Sequence, residues 1–252
     1  MTLNVAMLVV GALVAWVVGH FAGPIGRLLG LLDYPDAAGG RKLHPCVTPL
    51  VGGLAVVLAL LIAVFVTCRS GLAFPDDVLL RWLAIGVLGM FLIGAADDRW
   101  GLTAPFRLGM AAALLLLVII QVPEFRLGFL RFTGQPSDLL LPGLWGVGFT
   151  LLCLVGLLNA VNMADGKNGL VIGQALIWAG ILGFRLPAEL LPVVGSLFGA
   201  LLVLFLFNMR GRLFLGDGGS YALSAAFGLL AIAAWNRGHG GMRVDDIALL
   251  FA

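Results

Sequence analysis

Apolar runs of about the length needed to cross a bilayer recur along this chain, and they constrain its fold more than any other feature. Reading them against Gly, Pro and charged breakers gives spans at residues 2–22, 50–68, 79–96, 108–122, 143–160, 169–184, 190–207 and 220–235, with Ile247 to Ala252 beginning a ninth. Hydrophobic residues make up 61% of the 252 and charged residues 11%, with a mean hydropathy of +1.09, well outside the range of soluble domains. The expected fold is all-α: a polytopic integral membrane bundle with eight complete transmembrane helices, forming one domain over 1–252. The first run, Leu3 to Ala22, lacks a basic leader and a small-residue cleavage site, so it reads as a retained span. The last run is too short to cross, so the chain reads as ending inside a helix. Cys46, Cys68 and Cys153 form no CxxC pair, so neither a disulfide framework nor a zinc site is suggested. A net charge of +2 argues against a nucleic-acid partner.

Connecting segments must alternate between the two membrane faces, so parity decides which can meet. The odd segments are DYPDAAGGRKLHPCVTP (33–49), DDRWGLTAPFR (97–107), NAVNMADGKNG (159–169) and NMRGRLFLGDGGS (208–220). All four lie on one face. The even segments are plainer, and the longest, 123–143, has room for a short strand pair or an interfacial helix. Eight Lys/Arg flank the odd side and seven the even side, so charge counting leaves the orientation open.

The odd segments hold the chemistry. Asp97 and Asp98 are adjacent carboxylates at a membrane edge, and their mutual repulsion calls for protonation, full hydration or a cation between them. Mg²⁺ answers this, because it bridges one or two carboxylates to substrate phosphates; a solvated flank paired with Arg99 is the plain alternative. FLGDGGS surrounds Asp217 with glycines whose amides could approach an anion, and Ser220 could cap the next helix. The same stretch also suits a tight turn between helices. Asn159, Asn162 and Asp165 recur every three positions, within about 120° of a helix face, and Asn168 follows. Such a face points into a polar cavity or caps its own helix. Arg41, Lys42 and His44 precede Pro49 and Gly52-Gly53 as a basic cluster suited to phosphate oxygens, or as ordinary interfacial cations. Together the four segments supply the inventory of phosphoryl transfer: acids for a metal, cations for phosphates and a polar amide cluster.

The ordered motifs RKLH…P…GG, GAADDRWGL, NAVNMADGKNGL and FLGDGGS, spanning about Asp33 to Ser220, resemble the polyprenyl-phosphate N-acetylhexosamine-1-phosphate transferases of glycosyltransferase family 4. That family includes the phospho-N-acetylmuramoyl-pentapeptide transferases. GRKLH and NAVNMADG most resemble the branch that transfers N-acetylglucosamine 1-phosphate for lipopolysaccharide, O-antigen or other cell-envelope glycans. The resemblance implies transfer of a sugar 1-phosphate from a UDP-N-acetylhexosamine to undecaprenyl phosphate with release of UMP, using Mg²⁺ or alternatively Mn²⁺. It also implies a bacterial cytoplasmic membrane location with the odd face in the cytoplasm, and it leaves a homodimer open.

Carried over by motif, the resemblance gives Asp97 and Asp98 the role of acting on the lipid phosphate, as base or nucleophile, and makes Asp217, with Asp98, the metal-binding carboxylate. Phe214 matches an aromatic that stacks on uracil, Arg41, Lys42 and His44 match a basic loop near the phosphates, and Asn159, Asn162 and Asp165 match the nucleotide- or metal-supporting cluster. Asn168 stands where the family commonly has an aspartate, so one carboxylate is an amide here. The family's histidine-rich loop and later helices have no counterpart, since the three histidines are His20, His44 and His239. An inactive or truncated relative is therefore an alternative, and a transporter a more distant one, because its carboxylates would sit at mid-span.

Overall fold

The computed structural model describes residues 3–35, 46–71, 77–134 and 137–237. Arg41, Lys42, His44, His239 and the run from Ile247 lie outside these residues. Within them the chain forms α1 (Leu3–His20), α2 (Ala22–Leu29), β1 (Leu32–Asp33), β2 (Thr48–Pro49), α3 (Gly52–Arg69), α4 (Asp77–Trp100) and α5 (Ala104–Gln121). A 3₁₀ turn (Pro123–Phe125), β3 (Phe129–Leu130) and β4 (Leu139–Leu140) follow. The chain then continues as α6 (Leu144–Ala164), α7 (Leu170–Arg185), α8 (Leu191–Met209) and α9 (Gly216–Arg237).

Seven of these helices are long and apolar enough to cross a membrane, and α7, at 16 residues, is a shorter apolar helix beside them. The chain is an all-α polytopic membrane protein. Each expected span has its helix, and the longest even segment holds the antiparallel pair β3–β4, with Phe129 opposite Leu140. α2 was not expected from the sequence. It is a short amphipathic segment that continues past α1 and stops at Gly30, whose φ of 69° turns the chain back.

The bundle is organised around α9. Every residue from Gly216 to Trp235 except Asp217 is buried, and the helix has no polar face. A helix apolar on all sides belongs in the middle of a bundle, and its many Gly, Ala and Ser residues let α3, α4, α6 and α7 close around it. By contrast, α1, α5 and α6 bury only 28%, 22% and 28% of their apolar windows. Their outward Leu13, Trp16, Phe106, Ile120, Trp145 and Leu152 form the lipid-facing surface.

Buried hydroxyls in the spans bond to backbone carbonyls, as hydrocarbon requires. Thr67 donates to Ala63 at 2.6 Å, Thr150 to Gly146 at 2.6 Å and Ser224 to Ser220 at 2.6 Å. Ser196 donates across helices to the Ala59 carbonyl at 2.9 Å, tying α8 to α3.

Candidate active site

The site forms where the odd-face ends of α4, α5, α6 and α9 converge. Gly94, one turn before the acidic pair, is what admits α9: a Cβ at this position would lie 2.3 Å from the Asp217 carbonyl oxygen. The same holds for the glycine pair at the start of α3, where a Cβ on Gly53 would sit 2.5 Å from Gly219. These contacts set the α9 N-terminus against α4 and α3 simultaneously. The chain entering α9 is also stitched to segment one. Phe214 N–H donates to the Pro49 carbonyl at 2.9 Å, Gly52 N–H to Phe214 at 3.0 Å and Gly53 N–H to Leu215 at 3.1 Å.

The two adjacent aspartates face different partners, which resolves their repulsion. Asp98 accepts the Asp217 N–H on Oδ1 at 3.0 Å and the Gly218 N–H on Oδ2 at 3.1 Å. It thus acts as an N-cap supplied by a different helix, placing a carboxylate where the α9 dipole and free amides favour one. Asp97, whose side chain is 5% exposed, accepts a hydrogen bond from Arg107 on α5.

Two sequence readings change accordingly. The anion seated by the FLGDGGS amides is the protein's own Asp98, and Ser220 does not cap α9. The helix starts at Gly216, and the Ser220 hydroxyl bonds within the first turn to the Asp217 carbonyl at 3.1 Å. Arg99 is no partner for the acidic pair either: it donates to the Leu29 carbonyl at 2.7 Å, closing the end of α2.

Asp217 stands at the centre. Its Oδ1 accepts from Asn162 Nδ2 at 2.7 Å, and its Oδ2 lies 3.7 Å from Arg107 Nη1. Asn162 also reaches Ser220 Oγ at 3.1 Å. Asp165, just past α6, is half-buried, and its carboxyl is pushed up to about 7 by loss of hydration and then by the Asp217 charge. The structure therefore brings together Asp97, Asp98, Asn162, Asp165 and Asp217.

Asn159 is exposed and donates to its own helix at Val155, 3.0 Å. Asn168 is exposed, and Phe214 is half-buried beside the strand-like segment it forms with Pro49. Two residues were not singled out in the sequence. Arg107 links Asp97 to Asp217. Asn208, 4% exposed at the end of α8, accepts from Gly169 N–H at 2.6 Å and donates to the Leu213 carbonyl at 3.1 Å, so it fastens segment five to segment seven. Arg107 closes the motif DDRWGLTAPFR, ten residues after Asp97 on the same face, and that was its available signal.

Among the described residues no three His, Cys, Asp or Glu side chains converge as a metal cage. Mg²⁺ does not need one, because one or two carboxylates complete its shell with waters and substrate phosphates. Asp217 and Asp98 are hard oxygen donors held together by the Asp98–Asp217 backbone bond, so the donor set fits such an ion.

The stretch that carries this arrangement is also the one that known proteins share. The sequence pattern of glycosyl transferase family 4 matches residues 80–235, the stretch from α4 through α9 that carries the acidic centre. The phospho-N-acetylmuramoyl-pentapeptide-transferase of Synechococcus sp. (strain JA-3-3Ab) is 34% identical over 198 residues, 73% of this chain and 55% of its own length. The transferase of the same name from Heliobacterium modesticaldum is 34% identical over 205 residues, covering 73% and 60%. That from Streptococcus pyogenes serotype M6 is 29% identical over 218 residues, covering 77% and 64%. This chain thus spans 55 to 64% of the length of these relatives. With the match covering more than half the chain and including its acidic centre, the protein belongs to glycosyl transferase family 4.

Proposed function

We propose that this protein transfers N-acetylhexosamine 1-phosphate, most closely N-acetylglucosamine 1-phosphate, from a UDP-sugar to undecaprenyl phosphate, releasing UMP. The reading rests on family membership and on relatives named as phospho-N-acetylmuramoyl-pentapeptide-transferases. The observation that carries it is the meeting of Asp97, Asp98 and Asp217 with Arg107 and Asn162 at the ends of membrane helices. Acids at helix ends suit a reaction between a water-soluble nucleotide and a lipid phosphate, whereas a transporter would hold them at mid-span. The cytoplasmic membrane of a bacterium, with the odd face inward, is the location this chemistry calls for, since nucleotide sugars are cytoplasmic. Envelope glycan synthesis is its use.

In the proposed step an oxygen of the lipid phosphate attacks the sugar-linked phosphorus, and the bond to UMP breaks. A Mg²⁺ held by Asp217 and Asp98 would neutralise charge developing on the UMP leaving group. Asp98 fixes the α9 terminus so that Asp217 faces the reacting phosphates. Asp97, oriented by Arg107, manages the charge and proton of the lipid phosphate. Asn162 holds one Asp217 oxygen, Arg107 faces the other, and Asp165 is close enough to sense the Asp217 charge. Phe214 stacks on the uracil, and Lys42, Arg41 and His44 contact phosphates.

Membranes containing the 252-residue chain, given UDP-N-acetylglucosamine and undecaprenyl phosphate, should release UMP only with Mg²⁺ or Mn²⁺. Asp97→Asn and Asp217→Asn should abolish release. Turnover in excess chelator would overturn the reading, and no turnover at all would favour an inactive relative.

A further inference from the structure

The described part of the centre contains four carboxylates, Asp97, Asp98, Asp165 and Asp217, but one cation, Arg107. Asp98 is served by the α9 amides, and Arg107 is shared by Asp97 and Asp217. Its Nη1 bonds to Asp97 Oδ2 and lies 3.7 Å from Asp217 Oδ2. The other Asp217 oxygen is taken by Asn162. Asp217 Oδ2, which Asn162 does not engage, is the oxygen the guanidinium faces. The Arg107 side chain is 30% exposed, against 5% for Asp97, so it has room to move while Asp97 does not.

We propose that Arg107 is an internal counter-ion that competes with a divalent cation for Asp217 Oδ2, and that cation binding turns its guanidinium away from Asp217 toward incoming phosphate oxygens. The inference rests on the transferase reading of the site. A fixed positive charge this near a ligand oxygen opposes a second cation electrostatically. The displaced guanidinium still spans Asp97 and the open side, and its planar fork suits phosphate. Arg107 thereby couples metal occupancy to phosphate capture.

Mn²⁺ binding to the purified full chain in detergent, followed by electron paramagnetic resonance without substrate, tests this apart from turnover. Arg107→Gln should bind Mn²⁺ roughly tenfold or more tightly than the unaltered chain while losing UMP release. Arg107→Lys should keep the original Mn²⁺ affinity. Arg107→Gln leaves Asp97 unpaired, so the comparison is repeated in Asp97→Asn, where Arg107→Gln must again tighten Mn²⁺. Thermal unfolding in chelator identifies any variant that fails to fold, and the Asp97→Asn pair keeps the test open in that case. Unchanged or weaker Mn²⁺ binding on loss of Arg107, with Mn²⁺-dependent UMP release intact in the unaltered chain, would overturn the counter-ion role alone. Mn²⁺ binding that survives Asp217→Asn unchanged would overturn the metal reading with it.

Discussion

The two ends of the helix bundle use the same kinds of side chain to opposite effect. On the even side, each described acid, Asp77, Glu124, Asp138 and Glu189, lies within 4 Å of an arginine. Arg131 forms a bidentate pair with Asp138, 2.9 Å at both contacts, and Arg237 lies 3.8 Å from Glu124 and 3.7 Å from Glu189. Asn236 donates to the Glu124 and Arg126 carbonyls at 2.8 and 2.9 Å, and Trp235 donates to Phe129 at 3.2 Å, so the end of α9 is anchored to the β3–β4 segment. On the odd side, the start of α9 meets more carboxylates than cations. Two acids outside the spans register the contrast. The Arg131 guanidinium holds Asp138 below the usual carboxylate range, whereas burial and Asp217 push Asp165 up to about 7. Both ends of α9 are fastened, but among the described residues its start gathers more carboxylates than cations, for which a cation and phosphates are the complement.

If that contrast is right, substitutions at the two ends should separate stability from activity. Beyond Asp97 and Asp217, the largest effect is expected at Asp98. Asp98→Ala removes the acceptor for both α9 amides, costing about 1–2 kcal/mol as other cap losses do, and lowers UMP release at least ~100-fold because Asp217 loses its position. Asp98→Asn keeps one acceptor, so its melting temperature should fall less. A melting temperature equal to the original in Asp98→Ala would refute the cap.

Next is Asn208→Ala, which strands the Leu213 carbonyl and the Gly169 amide. A loss of about 1–3 kcal/mol is expected, with a raised KM for the UDP-sugar since segments five and seven are no longer fastened. Denaturation and steady-state kinetics on one preparation would show both.

Asp165 and Asn208 also mark what could be read from the sequence. The spans, and the meeting of segments three, five and seven, follow from apolar length and parity, because those rules require no knowledge of side-chain partners. The finer assignments depended on partners far away in the chain. Asp98 finds its amides 119 and 120 residues on, and only packing through Gly94 brings them together. The three-residue spacing of Asn159, Asn162 and Asp165 turns each side chain about 60° from the last, so Asn162 reaches Asp217 while Asn159 is carried out to the exposed side. Arg107 and Asn208 carried no periodic signal. α2 was not singled out because its eight residues, with Pro24 and two glycines, are too short and too broken to stand out as an apolar span.

A smaller effect is expected from Asp165→Asn, and its size depends on pH. A carboxyl whose folded pKa is raised binds its proton more tightly in the folded state, so its ionisation removes stability as pH rises from about 4, the unfolded value, to about 7. Asp165→Asn should therefore gain melting temperature relative to the unaltered protein at pH above about 7, and the gain should vanish near pH 4. A constant difference across that window would contradict the burial of this group. The smallest effect belongs to the even face: Arg131→Ala breaks a solvated pair and should leave the melting temperature nearly unchanged, with UMP release unchanged.

The most direct test sets the two ends side by side in one assay. UMP release from UDP-N-acetylglucosamine and undecaprenyl phosphate is measured in membranes, with Mg²⁺ and with chelator, for the unaltered chain, Asp217→Asn and Arg131→Ala. The account predicts Mg²⁺-dependent release that Arg131→Ala retains and Asp217→Asn loses. Release that persists in Asp217→Asn at the unaltered rate would contradict it.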